Sequence, residues 1–169
     1  PIQTQVNRAL EVLRDPALKA ESAKGVREKK IWAIVDGVFD YTELSKRTLA
    51  QHWKRFSPDQ QGEFRRLFGR LLGTVYMDRI IAYKDEKVVF GKVRQIPDKT
   101  AEVQSEVVRS SKSIPIHYRM ILENGEWRGY DVVIEGVSLV QNYRTQFREI
   151  LTNKSPEDFL KTLREKTRK

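Results

Sequence analysis

Apolar and polar positions change their spacing near residue 138, and this change predicts a β-hairpin that leads directly into a helix. Asn124-Gly125 separates two runs rich in Ile, Val, Tyr and Trp, a pattern typical of a two-residue hairpin turn. The predicted strands are 114–122 and 127–134. Beyond them apolar residues recur at the helical period of about 3.6, at Leu139, Tyr143, Phe147 and either Ile150 or Leu151.

Side chains alternate along paired strands, so the turn divides the apolar residues of the hairpin between two faces. The first face is predicted to hold Ile116, Tyr118, Met120, Leu122, Trp127 and Val133. The second is predicted to hold Ile121, Tyr130, Val132 and Ile134. Since neither face is cleanly polar, such a sheet must be covered on both sides, be bent by a bulge, or line something that is not protein.

Three shorter segments before the strands are predicted to be helical. The first ends at Asp15-Pro16, because the residue before a proline avoids helical backbone angles. A second carries apolar residues at helical spacing over 31–39. Asp40 and Glu43 then form a capping-box pattern, which predicts the start of the third helix.

The longest helix is predicted to begin at Ser57-Pro58. Ser57 is a favourable N-cap, Pro58 suits the first helical position, and Gln60 completes a capping box. From Phe64 the apolar residues form one broad stripe that continues to about Tyr83. This helix is therefore expected to be comparable in length with the width of the domain.

Two further strands precede the hairpin, and a last helix follows it. Val88 to Val93 and the alternating run from Ala101 to Val107 read as strands joined by a turn at Pro97-Asp98. The order of elements predicts an α+β fold, in which a curved antiparallel sheet of four or more strands packs against a helical layer and encloses a cone-shaped space. We expect one domain, 1–169, that is mostly helical over 1–86, sheet over 87–135 and helical again over 139–167.

The composition mainly excludes certain kinds of site and segment. The 169 residues include no cysteine, so disulfide frameworks, Cys-ligated zinc and thiol nucleophiles are excluded. No run of eighteen apolar residues is present, so we expect no membrane span. The chain starts at Pro1 without a Met and without a signal-peptide pattern, as a processed or trimmed protein would.

The charge balance leaves two readings open. There are 32 Lys and Arg against 23 Asp and Glu, a net charge of +9, which suggests an acidic partner such as nucleic acid or an anionic membrane surface. A solvated surface of mixed charge has about the same odds. Basic residues are interspersed with acids, for example over 27–30 and 63–66, and this favours solvated helix faces over a nucleic-acid-binding arm.

Candidate catalytic residues are few. His52 and His117 are far apart in the sequence, and each is more typical of a solvated or structural histidine. Asp40, Asp131 or Glu135 could act as an acid or base within a cavity, because burial raises the pKa of a carboxyl group. Phosphate-binding glycine loops, HExxH and nucleophile elbows are absent from the sequence. An isomerase or hydrolase that uses a carboxylate therefore stays as the alternative to a binding protein.

A resemblance to a known protein family bears on the choice between a binding protein and an enzyme. The sequence resembles the MlaC family, also called toluene-tolerance proteins, in Phe39-Asp40-Tyr41, Trp53, SPDQQGEFRRLFGRLL from Ser57, Tyr76 and, most specifically, YDVVIEGVSLVQNYRTQF over 130–147. The similarity covers about 35–159. One departure is Gly129, where the family pattern usually has an apolar residue. The missing side chain would either widen a cavity or mark a bulge.

The resemblance implies a soluble periplasmic phospholipid carrier of Gram-negative bacteria, with a fold related to nuclear-transport-factor-2-like domains. Such a carrier is not an enzyme, needs no cofactor and holds phospholipid acyl chains in an apolar cavity. Its implied partners are an outer-membrane lipoprotein and porin complex, an inner-membrane ABC transporter with an MCE-domain subunit, and transiently a membrane surface, but no nucleic acid. Its implied role is to maintain the lipid asymmetry of the outer membrane.

The lipid-binding residues follow from motif position within this resemblance. They are Phe68, Leu71, Leu72, Val75, Tyr76, Tyr118, Met120, Val132, Ile134, Val137, Leu139, Tyr143 and Phe147. Gly136 and Ser138 would shape the rim, where Gly permits a sharp bend and the serine hydroxyl reaches a headgroup or caps the helix. Asn142 and Arg144 are expected to tie the helix to the sheet.

Overall fold

The computed structural model of this chain describes residues 2–14, 24–81, 87–96, 99–109 and 112–167. Its elements follow the predicted order of helices, strands and helices. They are α1 (Ile2–Arg14), α2 (Lys24–Val38), α3 (Tyr41–Leu49), a 3₁₀ helix (Ala50–Arg55), α4 (Pro58–Ile81), β1 (Lys87–Ile96), β2 (Thr100–Arg109), β3 (Lys112–Glu123), β4 (Glu126–Ile134), β5 (Val137–Ser138), α5 (Leu139–Asn153) and α6 (Pro156–Lys166). The predicted helix ends at Asp15-Pro16 and Tyr83, and the Pro97-Asp98 turn, lie outside the described residues.

Helix α4 begins with the predicted capping box. The Ser57 hydroxyl accepts a hydrogen bond from the Gln60 backbone N–H at 3.2 Å, and the Gln60 side chain accepts one from the Ser57 N–H at 2.9 Å. Two N–H groups that the first helical turn leaves unpaired are thereby satisfied. This start is encoded locally, and it confirms the prediction.

Helix α3 begins at the predicted cap but without the predicted box. Asp40 accepts from the Glu43 N–H at 3.0 Å, as expected. The Glu43 carboxylate, however, pairs with Arg47 at 2.9 Å, and the Asp40 N–H donates to the carbonyl of Gly129 at 2.9 Å. The capping-box prediction was wrong in its second half, because a β4 carbonyl satisfies the N–H that Glu43 would have taken.

The five strands form one antiparallel sheet in the order β1-β2-β3-β4-β5. A bulge interrupts the β3–β4 ladder: Arg119 lies opposite Asp131, but the next residue, Met120, lies opposite Gly129. Tyr130 is therefore the extra residue on β4. An inserted residue reverses the alternation of side chains beyond it.

The bulge overturns the predicted division of the hairpin into two faces. Tyr118 lies opposite Val132 and Ile116 opposite Ile134, so these four share a face, and Val133 lies on the other. Across the sheet the first face is mostly apolar, and it carries Phe90, Val93, Val103, Val107, Ile116, Tyr118, Met120, Val132 and Ile134. The other face is mostly polar, with Glu102, Gln104, His117, Arg119 and Asp131. That face also carries Val89, Val108, Ile121 and Val133, in agreement with the prediction that neither face is cleanly polar.

Gly129 allows a close approach between β4 and the end of α2. Phe39 forms a bridge with Gly129, and an ideal Cβ at position 129 would lie 2.7 Å from the Phe39 ring. The ring thus occupies the space that a side chain would take. Of the two readings of this departure from the family pattern, the structure supports a bulge and excludes a gain in open volume at this point.

We expect Gly129→Ala to lower the free energy of unfolding by about 1–3 kcal/mol, because the new methyl group must displace the Phe39 ring. Thermal or urea unfolding of the purified protein measures the change. Gly62→Ala in α4 is the control, since nothing lies within 4 Å of its Cβ position and alanine favours the helix. Equal stability of the two variants would contradict this account of Gly129.

Two of the apolar clusters in the described part of the chain hold the layers together. The aromatic core joins α4, α5 and α6 through Phe56, Phe64, Phe68, Tyr143, Phe147 and Phe159, whose neighbouring ring centroids lie 5.1–6.1 Å apart. The sheet core joins α1 and α2 to the apolar face of the sheet through Ile2, Val38 and Met120. Helix α2 also contacts α4, because the indole of Trp32 lies directly against Gly73, where a Cβ would clash.

An ion pair between α4 and α6 gives this interface a pH dependence. Arg164 donates from Nη2 to Glu63 at 2.8 Å and also from Nε. The hydrogen bond from Arg164 lowers the pKa of Glu63, against a smaller opposite effect of desolvation. A carboxyl group whose pKa is lowered by folding stabilises the fold above its unfolded pKa, and it loses this contribution as the pH falls through the folded value.

Glu63→Gln should therefore lower the melting temperature at pH 7 relative to wild type. This difference in melting temperature should vanish as the pH falls below the ordinary glutamate pKa of about 4.3 and through the lowered pKa of Glu63 in the folded protein. Melting curves of both proteins between pH 3 and pH 7 measure this difference. Glu126→Gln, at an exposed position, is the control. A deficit that persists unchanged at pH 3 would show that the charge of Glu63 is not its cause.

Candidate functional site

The apolar stripe of α4 loses its cover toward the C-terminal end of the helix. Phe64 and Phe68 are 0% and 1% exposed, whereas Val75, seven residues after Phe68 on the same stripe, is 38% exposed. Leu71 and Leu72 between them are partly buried against the aromatic core. The helix therefore presents apolar side chains beyond the point at which the core covers them.

The exposure of side chains also increases along the apolar face of the sheet. Met120 is 4% exposed under α1 and α2, while Val132 and Ile134 are only partly buried. Val137, which follows in β5, is 58% exposed. Uncovered aliphatic side chains thus continue along β4 to the end of the sheet.

Helices α2 and α5 connect these two incompletely covered surfaces. On α2, Trp32 contacts α4 at Gly73, and Ile34 packs in the sheet core with Tyr118. At the other side Leu139, which directly follows β5, packs against the aromatic core. We call the partly covered set the apolar border; it comprises Leu71, Leu72, Val75, Tyr76, Tyr118, Val132, Ile134 and Val137.

The predicted site residues fall into two groups by burial. Eight form the apolar border. Leu71, Leu72 and Tyr118 of the border also pack against a core. Of the other five, Phe68, Met120, Tyr143 and Phe147 are buried in the two cores, and Leu139 is partly buried against the aromatic core. Burial, and after it the Coulombic effect of Tyr76, raises the pKa of the Tyr143 phenol. The role of all thirteen as lipid contacts stays a prediction.

The polar residues at the join of sheet and helix have structural partners. Asp131, only 2% exposed, accepts hydrogen bonds from the Val132 and Val140 N–H groups at 2.8 and 3.0 Å, from the Ser138 hydroxyl at 2.5 Å and from Arg119 at 3.2 Å. A buried carboxylate is stabilised when donors satisfy both of its oxygens. Asp131 therefore fastens β4 to the first turn of α5.

The remaining predictions for this region had mixed outcomes. Gly136 has φ +83° in the turn before β5, which confirms the sharp bend, and Ser138 caps α5 by accepting from the Gln141 N–H at 3.1 Å. Arg144 donates to the carbonyl of Arg47 at 2.8 Å, so it ties α5 to α3. The prediction that Asn142 and Arg144 hold the helix to the sheet was wrong, since Asn142 is exposed and its side-chain oxygen accepts from Gln146.

Sequence reasoning missed a cleft of about 450 Å³ on the polar face of the sheet. In the described part of the chain its lining includes four arginines, Arg47, Arg94, Arg119 and Arg144, and two carboxylates, Glu102 and Asp131. These residues come from α3, four strands and α5. Only the alternation of charged residues on β1, β2 and β3 could have hinted at it.

Comparisons with known proteins agree with this fold. A family model described as MlaC protein matches residues 3–165. Toluene tolerance protein ttg2D of Pseudomonas putida is 24% identical over 132 residues, 77% of this chain. The intermembrane phospholipid transport system binding protein MlaC of Haemophilus influenzae is 25% identical over 101 residues, 57% of this chain. The matches span 61% and 47% of the lengths of these two relatives.

A solved structure gives the same architecture. It is the phospholipid-binding protein from Ralstonia solanacearum in complex with a phospholipid, with a TM-score of 0.85, 22% identity, and coverage of 98% of this chain and 94% of that one. This likeness shows the fold. Among the helices described in our structure, none is long and apolar enough to cross a bilayer.

Proposed function

This chain belongs to the MlaC family, and from that premise we propose that it carries phospholipid, with the acyl chains held along the apolar border between α4 and the sheet. The observation that carries the proposal is the loss of cover along one helical stripe, from 0% exposure at Phe64 to 38% at Val75. A globular protein normally buries the whole apolar stripe of such a helix. An acyl chain would supply the missing cover.

The energetics of lipid transfer require such a surface. Two acyl chains of about sixteen carbons would cost about 25 kcal/mol in water, at roughly 0.8 kcal/mol per CH₂. Apolar side chains that the protein covers only in part can offset this cost, and a volume of order 800 Å³ is needed for the chains. The border has partly covered side chains on both α4 and β4, so it could contact a chain from two sides.

Burial suggests different roles for the predicted lipid contacts. We assign the eight residues of the apolar border to the wall of the cavity. The other five, Phe68, Met120, Leu139, Tyr143 and Phe147, would form its floor. The headgroup would remain in water, and recognition would therefore depend on the chains.

The names of the relatives support a carrier that acts between membranes. We place the protein in the periplasm, where it would exchange lipid with an outer-membrane lipoprotein and porin complex and with an inner-membrane ABC transporter that has an MCE-domain subunit. Its function would be to maintain outer-membrane lipid asymmetry, without enzymatic activity or a cofactor. The net charge of +9 would favour brief contact with an anionic surface, at about 1 kcal/mol per basic residue near the membrane.

Lipid analysis of the purified protein tests this function. We expect phospholipid to be present in native mass spectra and in organic extracts, and we expect delipidated protein to take up labelled phospholipid from liposomes. A preparation that holds no lipid and also takes none up would overturn the proposal.

Val137→Glu should reduce lipid loading several-fold with little change in stability. Val137 is already 58% exposed, so the substitution creates no strain in the protein alone, but a carboxylate beside an acyl chain is unfavourable. Val89→Glu is a matched control, since Val89 is 55% exposed and lies in β1 on the polar face. Loading is measured by extraction after equal exposure to liposomes. Equal loading of both variants would remove Val137 from the cavity wall.

A further inference from the structure

The arginine-lined cleft lies on the opposite face of the sheet from the apolar border. Arg94, Glu102, Arg119 and Asp131 occupy cross-strand positions on the polar face, and Arg47 and Arg144 join them from α3 and α5. The lining thus carries a formal charge of +2 within about 450 Å³. The lipid-carrier function gives this cleft no role.

Both carboxylates of the cleft are already engaged by protein groups. Asp131 accepts the four hydrogen bonds described above, and Glu102 lies 3.4 Å from Arg119 Nε and 3.6 Å from His117 Nδ1. Arg119 is therefore neutralised by two acids. Arg47 is likewise paired with Glu43, at 2.9 Å, so the positive charge without an acid partner among the described residues comes from Arg94 and Arg144.

Two of these arginines are held in place. The Arg47 guanidinium carbon lies 4.0 Å from the centroid of the Tyr130 ring, and its Nε donates to Glu43. Arg144 donates from Nε to the Arg47 carbonyl and from Nη1 to Gln141 at 3.1 Å. Within the described residues, neither Arg94 nor Arg144 lies at ion-pair distance from a carboxylate. Arg144 is therefore oriented and has no acid partner among the described residues, so it loses little entropy when an anion binds.

We propose that the cleft between Arg47, Arg94 and Arg144 binds a phosphate group, carried by a small phosphorylated molecule or by a lipid headgroup. Guanidinium groups match the geometry of phosphate oxygens through paired hydrogen bonds, which a single ammonium group does not offer. The cleft is much larger than a phosphate ion and falls within the size range of small-molecule sites, so it has room for the esterified part.

Calorimetric titration of the purified full chain tests the site, with inorganic phosphate and glycerol 3-phosphate as probes at low ionic strength. We expect millimolar or tighter binding, and about tenfold weaker binding for Arg94→Gln and for Arg144→Gln. Arg148→Gln is the charge-matched control, because Arg148 is exposed on α5 one turn beyond Arg144 and outside the cleft. Arg94 is exposed and makes no described ion pair, so Arg94→Gln should fold normally even if Arg144→Gln does not.

Vesicles distinguish the two sources of phosphate. If the ligand is a headgroup, Arg94→Gln should weaken cosedimentation with phosphatidylglycerol vesicles more than Arg148→Gln does. If it is a free phosphate ester, the two variants should bind vesicles equally while only Arg94→Gln loses glycerol 3-phosphate. The proposal is overturned if neither phosphate probe binds, or if Arg148→Gln weakens phosphate binding as much as Arg94→Gln does. It is also overturned if a hexaglutamate peptide displaces the probes at a concentration lower than that at which either probe binds. None of these outcomes depends on lipid loading in the apolar border.

Discussion

Replacing Phe64 by alanine should lower the free energy of unfolding by about 4 kcal/mol, one of the two largest effects that we expect from a single change. Phe64 is fully buried, and its ring centroid lies 5.3–6.1 Å from those of Phe56, Phe68, Phe147 and Phe159. Removing a phenyl ring from such a site costs its transfer free energy and leaves a cavity, together about 3–5 kcal/mol. That loss is a large share of the stability of an ordinary domain.

Thermal unfolding checks this value. A loss of about 4 kcal/mol should lower the melting temperature by roughly 8–16 °C in a protein of this size. Phe90→Ala is the comparison, because Phe90 is only partly buried on β1 and should lose much less. A melting temperature for Phe64→Ala within a few degrees of wild type would show that the aromatic core tolerates the cavity.

Val75→Glu should reduce phospholipid loading at least tenfold while it leaves the stability of the empty protein nearly unchanged. The position is 38% exposed, so a carboxylate there remains in contact with water when no lipid is present. A bound acyl chain would remove that water, and an unpaired charge in an apolar site costs several kcal/mol. Each 1.4 kcal/mol corresponds to a factor of ten in affinity.

The neighbouring position supplies the control. Thr74→Glu adds the same charge to α4 at an exposed site whose hydroxyl bonds the Arg70 carbonyl of the same helix. We expect Thr74→Glu to load phospholipid from liposomes as wild type does, and both variants to melt at similar temperatures. Equal loading by the two variants would place Val75 outside the cavity, and equal loss of fold and loading in Val75→Glu would identify it as ordinary core.

Local signals explain why much of the fold could be predicted from the sequence. The capping residues Ser57 and Gln60 act within their own first helical turn, and Asn124-Gly125 fixes the hairpin turn by its own backbone preference. Each of these features involves residues close together in the chain. Propensity and pattern are therefore sufficient to find them.

The division of the sheet into faces could not be predicted in this way. It depends on the bulge at Tyr130, next to Gly129, which Phe39 contacts from far away in the sequence. The arginine cleft depends on four residues from distant elements, and no spacing relates them. Long-range contacts of this kind are not visible in periodicity.

Residues of the core and residues of a cavity wall also follow the same apolar pattern in the sequence. Phe68 and Val75 occupy one stripe of α4 and satisfy the same helical pattern, yet the first is buried and the second is open. Whether a partner side chain covers a residue depends on the rest of the fold. The motif identified which residues to consider, and only the structure separated the covered ones from the uncovered ones.

The extra residue at Tyr130 also decides which faces the end of β4 presents. If pairing ran through this position without a bulge, strict alternation would turn Asp131 toward the apolar face of the sheet and Val132 toward the polar one. Loss of the bulge with the chain length kept would therefore invert the end of the strand, whereas a substitution at Tyr130 that keeps the bulge would leave its orientation intact. The orientation of this segment depends more on how many residues of β4 oppose each residue of β3 than on which side chain occupies the extra position.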